Sequence, residues 1–350
     1  MLNVGFVGCL AVTCFFVFRW AFRALPQEKY QVMATVPLSK SSDGSWQGLN
    51  LTFYGFFIAW AYLLATISVF VLLGSLSISS VVILILAAAM LIICVPSAKF
   101  IARLVEKKAY TFSVGGAAFV GILVAPWILF GIEKIPDWRL APTGIVLPGM
   151  ATFAIAYALG EGLGRLACIS FGCCYGKPID EVPRFFQRLV GFRAFIFTGQ
   201  TKKVAYASQL NDQRLFPVQA LTSSLYTGIG LVGMFLFLEG RYVWAFILTL
   251  AVTQLWRFFS EFLRADFRGN QKITAYQCMA LLTVPYAVTI AYYCPAAQTP
   301  PANLLSGLTL LWNPLLIFIF MAIWLGLFLY TGRSQVTAAT LNIFVKQQNI

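Results

Sequence analysis

The chain has 350 residues, 60% of them apolar and only 11% charged, and its mean hydropathy is +0.81. A globular domain is roughly 45–50% apolar and about 25% charged, so an ordinary soluble fold is excluded. Histidine is absent, which excludes imidazole catalysis and imidazole metal ligands, while 25 Lys+Arg against 12 Asp+Glu point to anionic lipid head groups rather than nucleic acid.

A helix needs about 20 mainly apolar residues to cross a bilayer. Nine stretches qualify, at 2–22, 51–76, 79–104, 112–132, 144–168, 217–238, 242–263, 274–294 and 305–332. The expected fold is therefore all-α, a polytopic integral membrane protein with about eight or nine transmembrane helices. The first stretch has no basic lead and runs into Arg19 and Arg23, so it reads as an anchor helix rather than a cleaved signal. The connection 169–216 is too long for a tight turn and predicts a small extramembrane head near 177–215. Within it, Phe185–Val190 predicts a short amphipathic helix at the head-group level. The tail 333–350 is polar and reads as poorly ordered chain. The expected organisation is an anchor helix and linker at 1–45, a membrane unit at 46–294, and an extra helix with its tail at 295–350.

With nine alternating spans, every lysine and arginine except Lys134, Arg139 and Arg241 falls on one side of the membrane. The positive-inside rule places that side in the cytoplasm, unless some arginines are ligands rather than topology markers.

A charge inside an apolar span costs about 2.5–3.5 kcal/mol on insertion scales, so embedded charges are functional candidates. Glu161 and Arg165 close the fifth span; Arg257, Glu261 and Arg264 close the seventh. Glu161/Arg165 and Arg257/Glu261 are i,i+4 pairs, each sharing a helix face, and Arg264 continues the second stripe. Arginines facing an apolar site can clamp a phosphate, with a glutamate as orienter or base. The structural alternative is head-group snorkelling with charge compensation.

The eight cysteines lie mostly in apolar runs and form no secreted disulfide framework. Gly172-Cys173-Cys174-Tyr175-Gly176 reads as a packed turn, with Cys173 as an alternative nucleophile beside a basic cluster. Adjacent cysteines rarely bridge, and no second Cys pair stands nearby, so no metal and no cofactor is expected.

Taken in order, Tyr54-Gly55, Ala98-Lys99, Gly115-Gly116, Gly164-Arg165 with Gly172 and Gly176, Pro217-Val218-Gln219, Arg257 with Glu261 and Arg264, and Gln277 resemble the prolipoprotein diacylglyceryl transferase family. The resemblance runs from about residue 46 to 293. It implies a bacterial cytoplasmic membrane enzyme that moves a diacylglyceryl group from phosphatidylglycerol to a lipoprotein-precursor cysteine and releases glycerol phosphate. It further implies that Arg165 and Arg257 bind the phosphate and act catalytically with Glu261. Tyr54, Gly115, Gly116, Glu161, Gln219 and Arg264 would then line the substrate site.

The departures lie near the chemistry. Val114 stands where the family has His, Cys168 where it has Asn, and Cys173 where it has Glu. The family's His-Pro-x-Gln-Leu-Tyr-Glu element reads Phe216-Pro217-Val218-Gln219-Ala220-Leu221-Thr222. A rival reading is therefore a lipid-binding or lipid-translocating protein that keeps the phosphate site without the chemistry. The resemblance also implies that the arginine end faces away from the cytoplasm, against the positive-inside count.

Overall fold

The computed structural model describes residues 1–42, 44, 46–106, 113–134, 144–266, 273–294 and 301–333. Helix α1 (Leu2–Ala24) is followed by an antiparallel hairpin, β1 (Val32–Lys40) and β2 (Trp46–Thr52). Then come α2 (Phe53–Gly74), α3 (Ser80–Glu106), α4 (Val114–Glu133) and α5 (Val146–Phe171). The head contains α6 (Arg184–Val190), β3 (Phe195–Ile196), α7 (Lys203–Ser208) and β4 (Arg214–Leu215), with β3 and β4 antiparallel. The chain ends in α8 (Val218–Leu238), α9 (Tyr242–Ser260), α10 (Ala275–Tyr293), α11 (Leu304–Leu310) and α12 (Pro314–Thr331). Among the described residues, nine helices are long and apolar enough to cross a membrane, and the molecule is an all-α polytopic membrane protein.

One expectation is corrected. The stretch 305–332 is not one helix but α11 and α12. Asn313 accepts a hydrogen bond from Leu315 N at 2.9 Å, and Pro314 stands in the first turn of α12, where its missing N–H costs nothing. The segment after α1 holds β1, mostly exposed, which pairs with β2 across residues 32–52. The tail beyond Arg333 lies outside the described residues, as do 107–112, 135–143 and 267–272 in the connections.

Helix α5 is the most deeply enclosed span and packs against α2, α8 and α9. Small residues permit this. A Cβ on Gly162 would collide with Thr227, and Ser223 Oγ donates to Gly162 O at 2.6 Å. Interfaces of this kind let helix backbones approach closely and satisfy polar groups inside the bilayer. Helices α1 and α12 are peripheral, mostly exposed to the surroundings.

The helix ends sort into two groups. Asn3 Nδ2 donates to Glu239 Oε1 at 3.0 Å, and Asn303 N to Ser75 O at 2.8 Å, at one end of the bundle. At the other end, Thr52 N donates to Gly332 O at 3.0 Å and Ser113 N to Ala98 O at 3.2 Å. The head and both embedded charge clusters belong to this second end.

The head is fastened to the segment after α1. Gln31 Nε2 donates to Thr201 O at 2.9 Å, and Thr201 Oγ1 to Gln31 Oε1 at 2.7 Å. Lys202, fully buried, donates to Leu25 O at 3.1 Å and to Ser170 O at 2.6 Å. It thereby serves a carbonyl at the C-terminal end of α5, where a cation is electrostatically favourable. The expected short helix in the head is α6; Phe185 on it is exposed and Phe186 packs edge-on against Phe216.

Candidate active site

Helix α5 ends in a Schellman turn. Gly172 adopts φ 71°, ψ 33°, a left-handed conformation open to residues without a Cβ at little cost. Gly172 N donates to Ile169 O at 3.2 Å and Cys173 N to Cys168 O at 3.0 Å. The second bond folds the chain back and sets Cys173 over Cys168. Cys174 follows with φ 56°, a further left-handed residue. Gln219 Nε2, at the start of α8, donates to Cys173 O at 3.0 Å and holds the turn in place.

The segment then pairs with the chain leaving α9. Gly176 and Arg264 form an antiparallel bridge, Lys177 N donates to Leu263 O at 3.0 Å, and Ala265 N to Tyr175 O at 3.1 Å. These bonds carry Arg264 to the end of α5. The single helical stripe through Arg257, Glu261 and Arg264 is therefore corrected. Helix α9 stops at Ser260, a 3-10 turn spans Glu261–Leu263, and Arg264 is extended.

The two sequence clusters meet. Arg165 lies within electrostatic range of Cys168, Cys174 and Arg264, and Arg257 within range of Glu161, Tyr157, Tyr226 and Glu261. Arg165 pairs with Glu161 across one turn of α5. Its Nε, also buried, has no hydrogen-bond partner among the described residues. Arg264 makes a two-pronged pair with Asp266, Nε to Oδ1 and Nη2 to Oδ2, both at 2.7 Å, and lies 3.7 Å from Glu261. Arg257 is held differently, by packing. Its guanidinium lies against Gly115 and 5.8 Å from the centre of the Tyr276 ring. Arg257 and Arg264 are each only 7% exposed, so removing either would leave charged partners enclosed.

The remaining sequence candidates divide. Tyr54 stacks edge-on with Phe171 and lies within electrostatic range of Cys168, Cys173 and Cys174. Gly116 faces the Ile101 side chain, so it serves the α3–α4 contact; its N–H is capped by Ser113 Oγ at 3.1 Å. Gln219 faces the Cys173 carbonyl, which makes it a support of the turn.

Sequence reading missed four residues here. Tyr226, Tyr157 and Tyr276 surround the arginines, with Tyr226 donating to Thr253 O at 2.7 Å. Tyr157 precedes Glu161 and Arg165 at steps of four, a face that could have been read from spacing. Cys168 is the fourth. Its sulfur and those of Cys173 and Cys174 lie within 4.8 Å of one another. Hydrogen bonds from Cys168 and Cys173, aided by Arg264 and Arg165, hold the Cys174 thiol well below its ordinary value. Cys173, sharing hydrogen bonds with Cys168 and Cys174 and partly desolvated, is pushed well above its own.

The family model for prolipoprotein diacylglyceryl transferase matches residues 45–293. No curated protein and no solved structure matches the chain. That match spans α2 to α10, both arginine clusters and the head, and the chain belongs to the prolipoprotein diacylglyceryl transferase family, membrane-embedded transferases of lipoprotein biosynthesis.

Proposed function

We propose that this protein moves a diacylglyceryl group from phosphatidylglycerol to the cysteine thiol of a lipoprotein precursor, in a bacterial cytoplasmic membrane. The observation that supports this most directly is the convergence of Arg165, Arg257 and Arg264 at one end of the bundle. In this reading Arg165 and Arg257 hold the phosphate of the departing glycerol phosphate. Cations fixed in a low-dielectric site stabilise a developing anion without reorganising, usually the largest single term in such catalysis. Glu261 and Asp266 orient Arg264, and Glu161 orients Arg165. Tyr54 and Gln219 border the acceptor side, and Gly115 leaves room for Arg257. The arginine end is assigned to the outer face, because the anionic donor offers a reason for its cations other than topology.

A second reading, lipid binding without turnover, has one observation in its favour: Val114, Cys168 and Cys173 replace the polar residues that the family resemblance implies. One experiment separates the two. Purified protein receives labelled phosphatidylglycerol and a peptide bearing the precursor cysteine. Release of glycerol phosphate that requires the peptide thiol, and falls about 100-fold or more in Arg257→Ala, supports transfer. Tight lipid binding with no release supports the second reading and removes the first.

A further inference from the structure

We infer that Cys168, Cys173 and Cys174 form a three-thiolate site for a zinc-type ion, whose fourth position receives the acceptor thiol. Three sulfurs with no histidine or carboxylate among them suit a soft or borderline cation. Around tetrahedral zinc, with Zn–S near 2.3 Å, sulfurs stand about 3.8 Å apart. Here they lie within 4.8 Å of one another, so capture needs each pair to close by about 1 Å or less.

The proximity of Cys168 and Cys173 alone would say little, because the Schellman turn brings those two positions together in any helix that ends this way. Cys174 is the informative residue. Its left-handed backbone, uncommon outside glycine, turns the third sulfur back onto the other two rather than away. Supporting contacts fix the set. Cys173 is held through its carbonyl by Gln219, and Cys168 through the α5 backbone. All three are only partly enclosed, which leaves an approach for a fourth ligand. A divalent ion with three thiolates carries one net negative charge, and Arg165 and Arg264 lie within range to offset it.

The catalytic half of this inference rests on the proposed transferase reading. A thiol that coordinates such a cation is deprotonated outright. The acceptor S–H would lose its proton to solvent on binding. Its sulfur then forms the S–C bond to the diacylglyceryl carbon, the C–O bond to phosphate breaks, and glycerol phosphate leaves with the electron pair. Thiol activation would thus be supplied by the residues standing where the family Asn and Glu are missing.

The test uses the full-length protein in detergent with Zn²⁺, and with Co²⁺ as a spectroscopic probe. About one bound ion per chain is expected, with a thiolate-to-cobalt charge-transfer band. Bound zinc should shield Cys168, Cys173 and Cys174 from alkylation, read by mass spectrometry, while the reactivity of Cys9 on α1 and Cys278 on α10 should not change with zinc. Cys174→Ser should weaken uptake at least tenfold and Cys278→Ser should not. Because the wild type alone gives the shielding readout, a misfolded variant does not obscure the answer. No uptake, or uptake without shielding of the three, overturns the site. If zinc binds but transfer runs equally well after chelation, the site stands and its catalytic role falls. If zinc binds and no transfer occurs with or without it, the transferase reading fails and the site stands.

Discussion

The Arg257 guanidinium occupies the space where residue 115 would carry a Cβ. Gly115 is the second residue of α4 and Arg257 belongs to the last turn of α9, so the position of a buried cation on one helix depends on a missing methyl on another.

Gly115→Ala should therefore act as a displaced Arg257. The added methyl cannot coexist with the guanidinium, and the expected loss of turnover approaches that of Arg257→Ala, about 100-fold. Gly116→Ala is the control. Its Cβ meets Ile101, so overpacking of about 1–3 kcal/mol should lower thermal stability. Equal turnover in Gly115→Ala and wild type would show that Arg257 does not need its present position.

Glu161 and Arg165 form an enclosed ion pair on α5, with side-chain exposures of 9% and 12%. Removing one partner of a buried pair leaves an uncompensated charge and typically costs about 3–5 kcal/mol, whereas replacing both with apolar residues is often near neutral. Glu161→Leu should lower the unfolding midpoint in detergent markedly. The double variant Glu161→Leu/Arg165→Leu should recover most of that stability and remain inactive. A double variant no more stable than the single one would mean that the pair is not electrostatically coupled.

How much of this was legible in the sequence depended on range. The spans could be read because apolar length is a local property, and the two charge clusters because a cation in apolar sequence is conspicuous wherever it lies. The break at Asn313-Pro314 was also written locally, as a cap followed by a first-turn proline, but the apolar run on either side masked it. Hairpin β1–β2 was missed because β1 is mostly exposed and carries no clean apolar alternation, and because the pair is flanked by helices that dominate the composition. Alternating spans put both charge clusters on one side of the membrane, where they could meet, but did not reveal the pairing that carries Arg264 to the end of α5. That pairing joins the backbones of Gly176 and Arg264, residues far apart in the chain. The three sulfurs were concealed for a related reason: Gly172 announces a left-handed turn, but the left-handed Cys174 after it follows from no residue preference.

The start of α2 meets the end of α12 at backbone distance. A Cβ on Gly55 would collide with Gly332, and Thr52 Oγ1 donates to Gly332 O at 3.0 Å. Gly55→Val should push α12 away and separate Trp324 from Trp60 and Phe56, whose rings now lie 5.9 and 6.1 Å from it. The expected readouts are altered tryptophan fluorescence and a lowered midpoint. Unchanged fluorescence would mean that α12 is held elsewhere.

Lys202 offers a test through pH. Burial lowers its ammonium from 10.5 to about 8, with Glu28 working in the opposite direction. Below about pH 8 the folded chain must enclose a charged ammonium, whereas above it the neutral amine still has two N–H groups for the carbonyls of Leu25 and Ser170. Between about 8 and 10.5 the unfolded chain binds more protons than the folded one, so stability must rise with pH through that window. The full rise amounts to about 3 kcal/mol, from about 1.4 kcal/mol per pKa unit. Other groups titrate there as well, so the measurement is a difference. Lys202→Arg cannot deprotonate and should lose the rise, being least stable relative to wild type at high pH. Parallel melting-temperature profiles for the two proteins between pH 7.5 and 10 would remove Lys202 as the source. They would also leave the junction of head, α1 and α5 resting on its hydrogen bonds alone.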